Sequence, residues 1–312
     1  YLPQSDLLSF EEITTIAQAS TRLGVRKIRI TGGEPLLRKN LDILIGQLSA
    51  LRTLDGQPLD LTLTTNASLL AKKAQALKDA GLTRLTVSLD ALDDNIFRAM
   101  NDMDFPVADV LEGIDTALSV GFSDIKVNMV VKRGTNQDQI VPMAAHFRGT
   151  GVALRFIEYM DVGASNGWRM DEVLPSADVL AMLQAHWPMQ ALPAKSKGET
   201  AKRYGYLDGN GNLDPSLGEV GFISSVTEAF CHECNRARLS TDGRLFACLF
   251  ATQGTEIKHL LRSAEPADAT FVAQYLAHTW QQRQDQYSAL RQAGVIPAGN
   301  ARERIEMSYI GG

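Results

Sequence analysis

Short runs of branched apolar residues recur through the first half of the chain. Each is followed by a polar or glycine-rich turn and then by an amphipathic stretch. The runs are RKIRIT (26–31), LDLTLTT (59–65), TRLTVSL (83–89), DIKVNMVV (124–131) and ALRFIEYM (153–160). They are rich in Val, Ile, Leu and Thr and largely apolar, the composition of buried parallel strands. The intervening segments, NLDILIGQLSAL and AKKAQALKDAG among them, have helical spacing, and the second ends on Gly81. A glycine there fits the left-handed position just past a helix. A further helix is predicted ahead of the first run, where Ser9 and Glu12 form a capping-box pair at the head of FEEITTIAQASTRLG.

The runs begin 24–41 residues apart, room for one crossover helix each time. That pattern predicts a parallel α/β sheet, open or closed. In such folds the chemistry sits where the strands end at their C-termini. Those ends read TGGEP, TTN, SLD, KVN and RFIEYM, all small, polar or charged groups. Beyond about residue 190 the pattern changes. A turn-rich stretch carries Asp208-Gly209 and Asn210-Gly211 as hairpin signals. Then come the cysteines, a helix predicted from about Asp268 to Leu290, and a tail, MSYIGG. The expected organisation is a sheet domain over 1–190 and a smaller region over 191–312.

Composition narrows the classes. A chain of 312 residues with 45% hydrophobic and 21% charged residues is that of a globular protein with a large core. The net charge of −5 argues against broad nucleic-acid contact, yet allows a small polyanion in a locally basic cleft. No apolar window is long enough to span a membrane, and YLPQSDLLSFEE lacks a signal-peptide pattern. Three cysteines are too few, and too odd a number, for a disulfide scaffold. A reducing, cytoplasmic compartment is therefore expected. The first residue is Tyr rather than Met, so a preceding segment is expected too.

All three cysteines lie within CHECNRARLSTDGRLFAC, as Cys231, Cys234 and Cys248. A C-x-x-C turn aims two thiolates at one point, and a loop can bring a third. Thiolates select zinc or iron–sulfur clusters. Zinc with His232 as fourth ligand, or simple buried packing, are the alternatives. A 4Fe–4S cluster held by three cysteines leaves one iron open for a substrate. Arg236 and Arg238, on alternate residues, suit a phosphate beside such a cluster. Surface salt bridges are their plainer role.

Together, RITGGEP, LTTN, TVSLD, IKVN, LRFIEYMD, the cysteine segment and the terminal glycine pair resemble the GTP 3′,8-cyclase family, also called molybdenum cofactor biosynthesis protein A. The resemblance runs from end to end of the chain. GGEP alone points only to radical S-adenosylmethionine (SAM) enzymes, whereas C-x-x-C-N-R-x-R with its third cysteine is more specific. The resemblance implies an incomplete (β/α)6 TIM-type barrel, with the smaller C-terminal region covering its gap and carrying an auxiliary cluster. It implies SAM and two 4Fe–4S clusters as cofactors. Family members hold the SAM-cleaving cluster with an N-terminal C-x3-C-x2-C motif, and this chain has none. The motif and a first strand are expected to lie upstream of Tyr1.

By the same resemblance, Gly33, Glu34, Ser88 and Met160 contact SAM, while Arg29, Thr64, Lys126, Arg236 and Arg238 bind GTP. Arg155 is a candidate for catalytic support, and Arg38 a further cation. Arg29 and Lys126 lie within strands, where a charge needs a ligand or a carboxylate. The implied reaction takes hydrogen from C3′ of GTP with a 5′-deoxyadenosyl radical and joins C3′ to C8, opening molybdenum cofactor synthesis. Gly311 and Gly312 would reach the active site. Implied partners are GTP, SAM, an electron donor and the cyclic pyranopterin monophosphate synthase, with a monomer or homodimer expected. A radical SAM enzyme acting on a peptide and a zinc-stabilised binding protein are the competing functions.

Overall fold

The structure is a computed structural model and describes residues 2–101, 103–163, 167–196, 198–228, 231, 234–295 and 305–311. The predicted first helix is α1 (Phe10–Arg22). Its capping box closes in both directions: Ser9 Oγ accepts from the Glu12 N–H, and the Glu12 carboxylate accepts from the Ser9 N–H. The elements then run β1 (Lys27–Ile30), α2 (Leu41–Ser49), β2 (Asp60–Thr65), α3 (Leu70–Asp79), β3 (Arg84–Ser88), α4 (Asp94–Met100) and α5 (Val107–Ser119). They continue with β4 (Ile125–Val131), α6 (Ile140–Phe147) and β5 (Ala153–Glu158). Gly81 ends α3 as expected, at φ +99°, and the next residue, Leu82, donates back to the Leu77 carbonyl.

Each of β1 to β5 pairs in parallel with the next, in chain order. After α7 (Ser176–Gln184) come β6 (Met189–Leu192), β7 (Lys202–Tyr206) and β8 (Glu219–Ile223). β8 joins β5 in parallel, and β7 and β6 add antiparallel, giving an eight-stranded sheet. Residue 190 lies inside β6, so the sheet runs through that point. EVGFI, the sixth parallel strand, is absent from the five predicted runs. It is only five residues long and follows a left-handed turn at Gly218, φ +84°.

The predicted strands are not apolar on both faces. Alternate side chains point to opposite sides of a sheet. On one side Leu61, Leu63, Leu85, Val127 and Leu154 are buried in a single core with the helices, each contributing about 1.5–3 kcal/mol. On the other, the register aligns Arg29 with Thr62, Thr64 with Thr86, Thr86 with Lys126, Ser88 with Asn128, and Asn128 with Arg155. The sheet thus has a dry face and a polar face.

The C-terminal region holds a three-stranded antiparallel sheet of β9 (Arg238–Leu239), β10 (Arg244–Phe246) and β11 (Thr255–Glu256). The helices α8 (Lys258–Leu261), α9 (Ala269–Gln281), α10 (Tyr287–Gln292) and α11 (Met307–Ile310) follow. The single helix expected from Asp268 to Leu290 is two. Asp268 caps α9 by accepting from the Thr270 and Phe271 N–H groups, and the apolar spacing lapses at QRQDQ (282–286). Ile16 and Ala19 of α1 share a second small core with Val272 and Leu276 of α9. Among the described residues no helix is long and apolar enough to cross a membrane.

Candidate functional site

Gly33 and Glu34 follow β1, Ser88 ends β3, and Met160 follows β5. All four predicted SAM contacts therefore stand at the C-terminal edge of the sheet. Gly33 and Ser88 are exposed, and a Cβ added to Gly33 would meet nothing within 4 Å. Glu34 is already engaged. It accepts from the Leu36 N–H at 2.9 Å, Thr65 Oγ1 at 2.8 Å and the Asn66 N–H at 2.7 Å. A carboxylate has about four acceptor positions, so Glu34 braces the ends of β1 and β2 and keeps about one for a ligand.

The polar face is strongly basic. Arg29 makes no hydrogen bond or ion pair among the described residues, and its side chain stays open to solvent on the polar face. Its pKa is pushed down to about 10, first by partial removal from water and then by repulsion from Arg155, Arg236 and Arg84. The guanidinium stays charged at neutral pH, and none of the nearby carboxylates, Asp60, Asp124 and Glu199, pairs with it among the described residues; they go to Arg84, Lys126 and Arg155. Arg238 is likewise pushed to about 10, by burial first, with Arg236 and Arg29 among the causes. The sheet's cations and those between the cysteines therefore face one another. Lys126 differs, since Asp124 holds its ammonium at 2.5 Å. Arg155 Nη2 lies 3.9 Å from Glu199, a loose pairing. Thr62 Oγ1, Thr64 Oγ1 and Asn128 Oδ1 on the same face are buried without a hydrogen-bond partner. A ligand with donors and acceptors would satisfy them.

The β9–β10 hairpin explains the third cysteine. Arg238 pairs with Phe246, the last residue of β10, which sets Cys248 two residues past the strand end on the cysteine side of the hairpin. Arg236 Nη2 donates to Cys234 Sγ at 3.3 Å, and the Phe250 N–H to Cys248 Sγ at 3.4 Å. Burial raises the Cys234 pKa, but the backbone N–H, charge and side-chain bond of Arg236, together with Arg283, outweigh it and hold the thiol below its usual value. Burial, with the charges of Asp285 and Cys231, pushes Cys248 up. The break between α9 and α10 has a purpose here. Arg283 Nη1 donates to the Cys234 carbonyl at 2.6 Å, and residues 283–286 line an open depression of about 210 Å³ with Cys231 and Cys234. Three thiols, N–H donors aimed at sulfur and an adjoining depression fit a cluster. Among the described residues no three His, Cys, Asp or Glu side chains, the three cysteines included, stand close enough to hold a single metal ion; His232 falls outside the described residues.

The tail is docked. Gly311 is buried, at φ +75°, and an added Cβ would stand 2.6 Å from Thr31 Cγ2, at the entrance to the GGEP turn. Tyr309 donates to Asp242 Oδ2 at 2.6 Å and packs edge-on to Phe246. Gly312 lies outside the described residues.

Residues 1–147 match the Radical SAM superfamily, and residues 152–289 match Molybdenum Cofactor Synthesis C. The chain is 45% identical to the GTP 3′,8-cyclase of Acidothermus cellulolyticus, covering 100% of this chain and 88% of that protein. It is 48% identical to the GTP 3′,8-cyclase of Xanthomonas axonopodis pv. citri, covering 98% and 86%. The chain belongs to the GTP 3′,8-cyclase family. Its fold is similar to the solved structure titled "Native anSMEcpe with bound AdoMet", with a TM-score of 0.52, 14% identity and coverage of 85% of this chain and 73% of that one.

Within this cyclase chain several residues escape a motif-based reading. Lys27, two residues before Arg29 on the same strand face, is pushed down to about 8 by burial and then by Arg84, Arg29, Lys126 and Arg155. Its period-two spacing from Arg29 was a usable signal. Glu158, 2% exposed, accepts from the Ser176, Val226 and Thr227 N–H groups at 2.8–2.9 Å. It fastens β5 to α7 and to the loop that leads toward Cys231. Arg38 is not a site cation. Its Nη2 donates to the Leu8 carbonyl at 2.7 Å, and its guanidinium stands 4.5 Å from the Phe10 ring centroid.

Proposed function

We infer that the protein is a radical SAM lyase that converts GTP to (8S)-3′,8-cyclo-7,8-dihydroguanosine 5′-triphosphate, the first step of molybdenum cofactor biosynthesis. Beside the family membership, one observation carries this reading: Arg29 on the sheet and Arg236 and Arg238 among the cysteines share one cationic space in which Arg29 has no carboxylate. A triphosphate carries the missing charge. Arg29, Arg236 and Arg238 bind it, with Lys27 alongside and Thr64 donating from its unpartnered hydroxyl. Lys126 joins them by exchanging Asp124 for phosphate. Arg155, loosely held, supports the charge of the reacting nucleotide. Cys231, Cys234 and Cys248 would hold the auxiliary 4Fe–4S cluster, which would supply a site for the guanine end. Gly33, Glu34, Ser88 and Met160 hold SAM at the sheet's edge.

The strand order supports the barrel. Sequential parallel strands, joined with the usual right-handed crossovers, would place the crossover helices on one side, as in a singly wound (β/α) barrel rather than a doubly wound sheet. An incomplete (β/α)6 barrel whose sheet runs on through β8 rather than ending at residue 190, with the cysteine-bearing remainder across its mouth, fits the polar inner face and the docked tail. When bound, SAM on its own cluster supplies the radical that takes hydrogen from C3′. The chain's residues keep that carbon and C8 in reach of each other, which is where positioning lowers the barrier. Electrons come from an external donor, and the product passes to the cyclic pyranopterin monophosphate synthase. Unpaired thiols fit a cytoplasmic setting.

Calorimetry with GTP tests the reading. Arg29→Ala and Arg236→Ala are each expected to weaken binding by about 1.5–3 kcal/mol, the loss of a charge-assisted contact. Unchanged affinity in both would return these arginines to a structural role.

A further inference from the structure

Asp161 follows Met160 at the end of β5 and is 4% exposed. Two side chains of α10 reach it. Tyr287 donates its hydroxyl to Oδ2 at 2.5 Å, and Arg291 pairs with Oδ1 through Nη1. Arg291 Nη2 also donates to the Ser225 carbonyl at 2.8 Å, in the loop after β8. Beyond the carboxylate, Tyr287 stacks on Phe250, with ring centroids 4.4 Å apart and planes 26° from parallel. The Arg291 guanidinium stands 5.8 Å from the Phe250 centroid and 5.9 Å from that of Trp168. Phe250 is the residue whose backbone N–H reaches Cys248 Sγ.

The contacts form one continuous path. It starts beside Met160, crosses the Asp161 carboxylate, passes through Tyr287 and Arg291 to the Phe250 ring, and ends on a cysteine sulfur. The ion pair is largely buried, with side-chain exposures of 14% and 6%. A pair in that setting is costly to break from one side and so holds its geometry firmly. Hydrogen bonds to the sulfurs of an iron–sulfur cluster set its reduction potential.

We propose that Asp161, Tyr287 and Arg291 form a clasp that positions Phe250, so that its N–H bonds Cys248 and sets the potential and substrate response of the auxiliary cluster. The inference rests on the reading of Cys231, Cys234 and Cys248 as cluster ligands. Arg291 is a positioning residue: its contacts are with Asp161, the Ser225 carbonyl and the rings of Tyr287, Phe250 and Trp168, and it acts through Tyr287, Phe250 and the mouth of β5. The same clasp ties the SAM side of the site to the cluster side.

The test uses anaerobic holoenzyme of the wild type, Arg291→Met and Arg291→Lys. Met keeps the apolar stem and removes the charge. Three quantities are read: iron per chain, the midpoint potential of the auxiliary cluster, and the change in its reduced EPR spectrum when GTP is added. Arg291→Met is expected to keep its iron, to show a lower potential because a donor to sulfur is lost, and to blunt the GTP-induced spectral change. Arg291→Lys is expected to recover part of both. Full iron with unchanged potential and spectrum in Arg291→Met would overturn the proposal. Should that variant fail to fold, Tyr287→Phe removes one arm of the clasp alone and is expected to shift potential and spectrum in the same direction; wild-type values there overturn it equally. A wild type without cluster iron would instead overturn the ligand assignment, a separately visible result.

Discussion

Arg238 Nε donates to the Gly311 carbonyl at 3.2 Å, linking the cysteine hairpin to the end of the chain. The same glycine lies against Thr31 on its other side. The tail is thereby wedged between the turn assigned to SAM and the arginines assigned to GTP. Gly311→Ala places a Cβ in a left-handed residue, at about 1–2 kcal/mol, and drives it into Thr31. The variant is expected to melt only a few degrees below the wild type while its turnover falls at least roughly tenfold, equivalent to about 1.4 kcal/mol. Melting curves and product assays side by side check this. Unaltered turnover would make the docked tail a packing feature.

Lys27 gives a pH signature. Its folded pKa is about 8, well below the ordinary lysine value, because burial and neighbouring cations disfavour the charged form. A bound phosphate favours that charged form. GTP affinity should therefore be full below about pH 8 and decline above it, by at most about tenfold per unit. Arg29 and Arg238, near 10, remain charged through that window. Lys27→Met should bind more weakly below pH 8 and show a flatter profile. Titration calorimetry across the range would expose an unaltered slope and remove Lys27 from the site.

Arg29 and Arg38 separate binding from folding. Both are arginines within ten residues of each other, Arg29 exposed and Arg38 half-buried. Arg38 is spent on the Leu8 carbonyl and the Phe10 ring. Arg38→Ala is expected to lower stability by about 1–3 kcal/mol and leave GTP affinity intact, whereas Arg29→Ala does the reverse. Urea unfolding paired with calorimetry distinguishes them. A loss of GTP affinity in Arg38→Ala without destabilisation would contradict the contacts seen.

Replacing Cys231, Cys234 or Cys248 with Ala should remove the iron held by this segment, about four atoms per chain. Iron and sulfide analysis of anaerobically purified protein reads the outcome directly. Full iron in any of the three variants, or zinc alone in the wild type, would contradict the assignment.

How much of this was legible differs by kind of signal. Local chemistry with one physical solution was readable: the Ser9–Glu12 capping box and Gly81 at its helix end both stand as expected. The five strands were readable because branched residues mark them. Their polar face was not, because LDLTLTT and TRLTVSL resemble strands buried on both sides until the register shows Thr62, Thr64 and Thr86 aligned away from the helices. Arg38 misled because a sequence gives its charge but not the Leu8 carbonyl it meets. The α9–α10 break needed Arg283 to have a destination, the Cys234 carbonyl, that lies 49 residues away in sequence. The Asp161 clasp joins elements 126 and 130 residues apart, and no local pattern encodes it.

The most direct test of the central claim is a product assay on reduced holoenzyme carrying both clusters, given SAM with GTP and, separately, with peptides. Mass spectrometry follows 5′-deoxyadenosine and the nucleotide. The account predicts that GTP is consumed in step with 5′-deoxyadenosine, that a 3′,8-cyclised nucleotide triphosphate appears, and that deuterium placed at C3′ is transferred to the deoxyadenosine. SAM cleavage that leaves GTP unchanged, or that consumes a peptide instead, would contradict it.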